Sequence, residues 1–148
     1  MINEFSGQYS FLSNFYKTVI FNPDAIKMQC LTFPSVEHAY QAAKTHDLND
    51  KRIIALAQTP GQAKSLGQKV KLRDDWKEIR IDIMYDLVAK KFSKPGLAKK
   101  LKQTEPHFLC EGNYWHDNIW GDCYCDKCKN IPGQNHLGQI LMKIRDEI

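Results

Sequence analysis

The sequence predicts an α+β fold that is predominantly α-helical, a single compact domain over residues 1–148 with a small β element near the N-terminus. Three observations lead there. Apolar residues recur at helical spacing through the second half of the chain. Runs of β-branched and aromatic residues stand before residue 34. A chain of 148 residues suits one hydrophobic core and leaves little for a second.

In chain order, residues 1–33 read as extended structure. Thr18–Phe21 and Met28–Phe33 are the strand candidates, joined by a turn at Asn22-Pro23-Asp24. Ser35, just after Pro34, is the expected N-cap of a helix running to about Lys44. Asn49–Gln58 is the next expected helix, with Ile53, Ile54, Leu56 and Ala57 as its apolar residues. Thr59-Pro60-Gly61 breaks it, and Pro60 opens a short helix towards Lys69. Asp74 or Asp75 caps the longest helix, Trp76–Phe92, whose Trp76, Ile79, Ile83, Leu87 and Val88 should face the core. Ser93-Lys94-Pro95-Gly96 ends it, and a short basic helix follows to about Gln103. Phe108–Cys110 reads as one more strand. Residues 111–134 form a long loop, and loops of that length in small domains usually carry function. A last helix spans about Asn135–Glu147, with Leu137, Ile140, Leu141 and Ile144 as its apolar stripe.

Charge and cysteine content narrow the classes. The net charge is +4, with basic residues gathered at Lys64–Arg73 and Lys90–Lys102. Such clusters suit a phosphorylated ligand and equally suit solvated helix faces. No apolar run approaches the ~20 residues of a membrane span, and no secretory pattern opens the chain. Five cysteines, three of them within Cys123–Cys128, argue against a disulfide framework. Reduced thiols and a cytoplasmic location are the expectation.

Two segments carry candidate chemistry. In the helix after Pro34, residues three, four and seven apart share a face, so Glu37, Tyr40, Gln41 and Lys44 line up. Glu37 and Lys44 stand ~10 Å apart along the axis, which admits a sugar. Glu37 lies in the first turn, where the helix dipole favours a carboxylate, and could stabilise positive charge developing on a ribose. An ordinary solvated face explains the same pattern. In the loop, Glu111–Asp122 sets indole rings beside carboxylates, as a site that stacks a flat base and moves protons would. Asp117 and Asp122 are candidate bases there, as is His116; core tryptophans and turn-forming acids are the plain alternative. Gly133-Gln134-Asn135-His136-Leu137-Gly138 then opens the last helix, whose N-terminus could attract phosphate. A simple Asn135 N-cap accounts for it equally.

Cys123, Cys125 and Cys128 are spaced densely enough to hold a structural zinc, which needs a fourth donor from Cys110, His116 or His136. Three reduced structural thiols would look the same.

Taken together, these segments resemble the NADAR (YbiA-like) family over nearly the whole chain, in order. They are Phe5-Ser6-Gly7, Phe11-Leu12-Ser13-Asn14-Phe15-Tyr16, Pro34-Ser35-Val36-Glu37-His38, Gln41-Ala42-Ala43-Lys44, Trp76, Asp117, Trp120-Gly121-Asp122, and Gly133–Arg145. The resemblance implies an N-glycosidase, a hydrolase of N-glycosyl bonds that requires no cofactor for catalysis. Members act on ribosylamino-pyrimidine intermediates of riboflavin synthesis or remove ADP-ribose from guanine bases in nucleic acid. By the same resemblance, Glu37 stabilises or protonates the ribose and Lys44 attacks its anomeric carbon to give a Schiff base. Asp117 and Asp122 match the acids around the Trp-Gly motif. Trp76 and Trp120 match aromatic positions, and Asn14 and Asn135 match polar positions that hold ribose or phosphate. Phe15, Tyr40, Gln41, Gly121 and Gly138 complete the implied substrate contacts. The expected partner is ADP-ribosylated nucleic acid or a phosphorylated ribosylamino-pyrimidine, with no membrane. One departure stands out: many relatives carry a short Gly-rich stretch where this chain has its three cysteines. Two other classes fit the same residues, a non-catalytic reader of ADP-ribose or nucleotides and a zinc-stabilised nucleic-acid-binding protein.

Overall fold

A computed structural model describes residues 1–22 and 31–148. By its internal contacts the chain forms two compact units, Asn14–Lys91 and the combination of Met1–Ser13 with Phe92–Ile148. Helices dominate and the strands are short, as the sequence predicts.

In the unit Asn14–Lys91, β1 (Ile20–Asn22) pairs antiparallel with β2 (Leu31–Phe33), setting Ile20 opposite Phe33 and Phe21 opposite Thr32. Ile20 and Phe33 are buried while Phe21 and Thr32 are exposed, the alternation of a sheet with one wet face. The first strand begins later than expected, because the Thr18 N–H donates to Pro34 O at 3.0 Å instead of joining the ladder. Pro23-Asp24 of the expected turn and residues 28–30 of the second expected strand lie outside the described residues.

Helix α1 (Val36–Ala43) starts where Ser35 predicts. Ser35 Oγ accepts the His38 N–H at 3.2 Å and sits 2.7 Å from His38 Nδ1. His38 Nε2 lies 3.0 Å from Ala57 O, which can only accept, so Nε2 carries a proton and donates to it. Helix α2 (Leu48–Ala55) is capped by Asp47, and α3 (Pro60–Gly67) by Thr59 with Pro60 in its first turn. Helix α1 packs against both. Of the apolar residues expected on α2, Ile54 is buried, but Ile53 is exposed and Leu56 is 81% exposed. The helix ends at Ala55, so Leu56 falls past the face that its spacing implied. Helix α4 (Trp76–Phe92) has the predicted bounds, with Asp75 before it held by Arg73 at 2.7 and 3.1 Å. Trp76, Met84, Leu87 and Val88 are buried, whereas Ile79 and Ile83 are only half-buried. Lys91 is withdrawn from the expected cationic surface, its ammonium 5.4 Å from the centre of the Tyr16 ring.

The other unit begins with a 3-10 helix over Gly7–Leu12, not extended chain. Gly7 sits at φ 56°, a left-handed conformation that costs glycine little, and Phe11 and Leu12 anchor the turn by burial. Helix α5 (Pro95–Lys102) packs on α6 (His136–Glu147), whose Leu137, Ile140, Leu141 and Ile144 are buried as their spacing predicts. The strand expected at Phe108–Cys110 is reduced to one parallel bridge, Leu109 with Ile2. Past the bridge the Gly112 N–H donates to Asn3 O at 3.1 Å, out of step with the ladder, while the Glu111 N–H, on the other side of the segment, donates to the Asn135 side chain at 3.0 Å. The long loop is tied internally by a two-residue parallel ladder between β3 (Gly112–Asn113) and β4 (Asp122–Cys123). No helix among the described residues is long and apolar enough to cross a membrane.

Candidate functional site

The residues expected at the site divide between the two units. Asn14, Phe15, Glu37, Tyr40, Gln41, Lys44 and Trp76 belong to one; Asp117, Trp120, Gly121, Asp122, Asn135, Gly138 and the three clustered cysteines belong to the other.

In the first group α1 is the organising element. Every residue from Val36 to Ala43 is buried, which rules out a solvated face. Glu37, only 8% exposed, accepts a hydrogen bond from Gln41 Nε2 at 2.7 Å. Its backbone N–H donates to Asn14 O at 3.1 Å, so the segment before the sheet closes the first turn of the helix. The side chain of Asn14 is buried as well: Nδ2 reaches the Met84 thioether at 3.4 Å, and Oδ1 has no hydrogen-bond partner among the described residues. Gln41 Oε1 is likewise buried without a hydrogen-bond partner. Two buried orphan acceptors, on residues that each hydrogen-bond Glu37 through another atom, are costly in a folded protein.

Lys44 follows the last residue of α1 and is half-buried. Its carbonyl accepts the Arg73 N–H at 2.8 Å, which fixes the backbone. Its ammonium lies 5.7 Å from the centre of the Tyr40 ring, back along the helix towards Glu37. Burial pushes its pKa below the usual lysine value; the Glu37 charge opposes that fall and Lys64 adds to it. The result is an amine that loses its proton more readily than a surface lysine, beside a fixed carboxylate. Tyr40 in turn packs against buried Trp76, ring centres 5.1 Å apart and tilted by 54°. Phe15 is 47% exposed.

One partner of this group escapes sequence reasoning. Gly67, in the last turn of α3, lies directly beneath the Gln41 side chain, and a Cβ there would run into its amide. The only sign in the sequence is a glycine where a helix gains from alanine.

In the second group the motif residues are largely engaged in building the loop. Asp117 Oδ1 accepts from the N–H groups of Ile119 and Trp120 at 3.1 and 2.9 Å, and Asn113 clamps the Asp117 backbone on both sides. Asp122 Oδ1 accepts the Gly133 N–H at 3.0 Å. Trp120 meets His136 edge to face, 6.1 Å between centres. Asn135 occupies the N-cap position of α6 but does not cap with its side chain. Its backbone is left-handed, with φ 49°; Oδ1 accepts from Glu111 and Nδ2 donates to Leu109 O at 3.0 Å. Gly121 and Gly138 allow close backbone approach, since a Cβ would collide with Glu111 O at the first and Leu109 O at the second. The first amides of α6 do not wait for phosphate: His136 and Leu137 donate to the carbonyls of Ile119 and Trp120 at 3.1 and 3.0 Å.

Cys123, Cys125 and Cys128 carry free thiols and converge with His116 into a group that could hold a metal ion. The other two candidate donors are turned elsewhere. Cys110 Sγ lies 3.5 Å from the Tyr124 hydroxyl, and His136 Nε2 lies 2.7 Å from Gln134 Oε1.

Known proteins resemble this chain over nearly its whole length. The family model described as the NADAR domain matches residues 3–148. N-glycosidase Npun_R5314 of Nostoc punctiforme is 38% identical over 134 residues, covering 86% of this chain and 82% of that protein. N-glycosidase YbiA of Shigella boydii is 30% identical, with 83% of this chain and 75% of the relative covered. Riboflavin biosynthesis protein VVA0006 of Vibrio vulnificus is 34% identical over 95% of this chain, which spans only 36% of that longer protein. Among solved structures, the NMR structure of the E. coli protein YbiA superposes with a TM-score of 0.76 at 28% identity, covering 99% of this chain and 86% of that one. The order of motifs, the family match and the shared architecture agree, and the chain belongs to the NADAR family.

Proposed function

We propose that this chain is an N-glycosidase that hydrolyses the bond between ribose C1′ and an exocyclic amine. Its substrate is ADP-ribosylated guanine in nucleic acid or a phosphorylated ribosylamino-pyrimidine, which share that linkage. The observation that carries the proposal is a buried carboxylate in the first turn of α1 and a lysine of lowered pKa just past its end, Glu37 and Lys44. Relatives named N-glycosidases support the reaction class.

The chemistry follows from those groups. The amine lone pair expels O4′, which takes up a proton, and C1′ becomes doubly bonded to nitrogen. Glu37 stabilises the positive charge on that imine. Neutral Lys44 Nζ adds to C1′ and gives up a proton. The base amine then leaves with its bonding pair and a proton, and C1′ becomes a lysine Schiff base. Water hydrolyses it, supplying the oxygen of the free sugar and restoring the amine. Covalent capture divides one difficult displacement into two easier ones. On the motif alone, Asp117 supplies proton transfer, with Asp122 as the alternative. No step needs a cofactor, and a zinc ion at the clustered cysteines would be structural.

The test is mass spectrometry of products after incubation with each substrate in parallel, with borohydride added to reduce any Schiff base. Released base and a ribose adduct on Lys44 are expected. Tight binding without product makes the chain a reader of ADP-ribose and removes the catalytic proposal.

A further inference from the structure

The loop between Asn113 and Lys129 contains a donor set that the glycosidase chemistry does not use. We infer that His116, Cys123, Cys125 and Cys128 form a closed four-ligand zinc site that holds this loop in shape.

Geometry carries the inference. The ligand atoms of the four residues all lie within 4.8 Å of one another. His116 Nδ1 is 3.3 Å from Cys128 Sγ and 3.3 Å from Cys125 Sγ, one nitrogen facing two sulfurs. A tetrahedral zinc with metal–ligand distances of roughly 2.0–2.3 Å sets its donors ~3.5–3.8 Å apart, between the 3.3 Å of the two histidine–sulfur pairs and the 4.8 Å that bounds the group. Three thiolates and one imidazole are donors that zinc accepts in structural sites, and four protein ligands leave no open position for water or substrate.

The backbone is arranged to serve the donors. His116 adopts φ 70°, a left-handed conformation uncommon outside glycine, and its N–H points at Cys123 Sγ at 3.3 Å. The N–H groups of Cys128 and Lys129 both donate to Cys125 O, at 3.0 and 2.9 Å, which folds the Cys125–Cys128 turn so that the sulfurs share a side. Cys123 is pinned by its N–H to Asn118 Oδ1 at 2.9 Å, a supporting contact outside the ligand shell. Cys123 and Cys128 are buried, and Lys127 and Lys129 flank Cys128 at the surface, where they offset the negative charge of a three-thiolate site. The metal would tie the two ends of the segment 116–128 together. Asp117, next to His116, and the β4 residues would be held through it.

The experiment uses the full-length, untagged chain, incubated with excess zinc, dialysed, and assayed for metal by mass spectrometry. One zinc per chain is expected. Cobalt(II) substitution should give the intense visible bands of a tetrahedral site together with sulfur-to-cobalt charge transfer. Cys128→Ser and His116→Ala should lose most of the zinc, while Cys110→Ser and His136→Ala retain it in full. The wild-type metal content and cobalt spectrum decide the matter even if a cysteine variant fails to fold. Wild-type protein that keeps no stoichiometric zinc overturns the inference. So does zinc that survives in a soluble Cys123→Ser/Cys128→Ser variant, or an octahedral cobalt spectrum.

Discussion

Gln41 donates from Nε2 to Glu37 Oε1 over 2.7 Å, one turn further along the same helix. The carboxylate is thereby aimed by a neutral amide that leaves its charge intact. Glu37→Gln preserves an acceptor for Gln41 and removes only the charge. Turnover is expected to fall by roughly 10²–10³, the cost of deleting one preorganised electrostatic group. Thermal melting should barely move. Steady-state kinetics and a melt on the same preparation check both halves of this expectation.

The lowered pKa of Lys44 has a definite sign in kinetics. In the proposed mechanism the neutral amine is the nucleophile, so kcat/KM should rise with pH and level off above a midpoint below the usual lysine value of 10.5. Lys64 contributes to the lowering, so Lys64→Met should move the midpoint upward. Glu37 opposes the lowering, so Glu37→Gln should move it downward. The first is read from the pH–rate profile. The second, in a variant with little turnover, is read from the pH dependence of reductive methylation at Lys44.

Gly67→Ala brings a methyl group against the Gln41 amide. Overpacking of this kind costs about 1–3 kcal/mol. Because the displaced side chain is the one that holds Glu37, kcat should fall as well. The combination Gly67→Ala/Gln41→Ala should recover most of the stability and none of the activity. Additive losses in denaturant melts of the three proteins would refute the contact.

Arg145 is buried in α6 and donates from Nη1 to Thr104 Oγ1 and His107 O at 2.9 and 2.8 Å. Arg145→Met removes the charge and both bonds, leaving the buried Thr104 hydroxyl and the His107 carbonyl short of a donor. A loss of about 2–3 kcal/mol is expected in urea melts, from the worth of hydrogen bonds to charged groups.

Asp117 holds two N–H groups through one oxygen, a task that an asparagine oxygen can also perform. Asp117→Asn should therefore keep the melting temperature within a degree or two and lose turnover, while Asp117→Ala lowers both. Full activity in the asparagine variant would assign this residue to the architecture of the loop alone.

Where a local rule suffices, sequence and structure agree closely. Trp76–Phe92 has an apolar stripe, an acid before it and Pro95 after it, and the helix has those bounds. Ser35 caps α1 because a short hydroxyl beside a helix start has few better uses. What the sequence does not disclose depends on contacts between distant residues. The 3-10 turn at Gly7–Leu12 is fixed by two buried anchors that no period announces. Asn135 looks like a cap, but Glu111 and Leu109 claim both ends of its amide. Cysteine spacing points to a metal and leaves three candidates for the fourth donor; only the folded loop turns His116 towards the sulfurs. Gly67 is invisible without the side chain that lies on it.

The closure of α6 on its own loop has a bearing on how an anionic substrate is captured. With the amides of His136 and Leu137 bonded to Ile119 and Trp120, that helix end offers no ready-made cradle for phosphate. Attraction would then fall to lysine and arginine side chains, whose fields are screened within ~10 Å at 0.1 M ionic strength. Under the proposed mechanism, encounter with a nucleotide-like ligand should accordingly slow as salt is raised, while a chemical step run by groups sheltered on α1 keeps its pace.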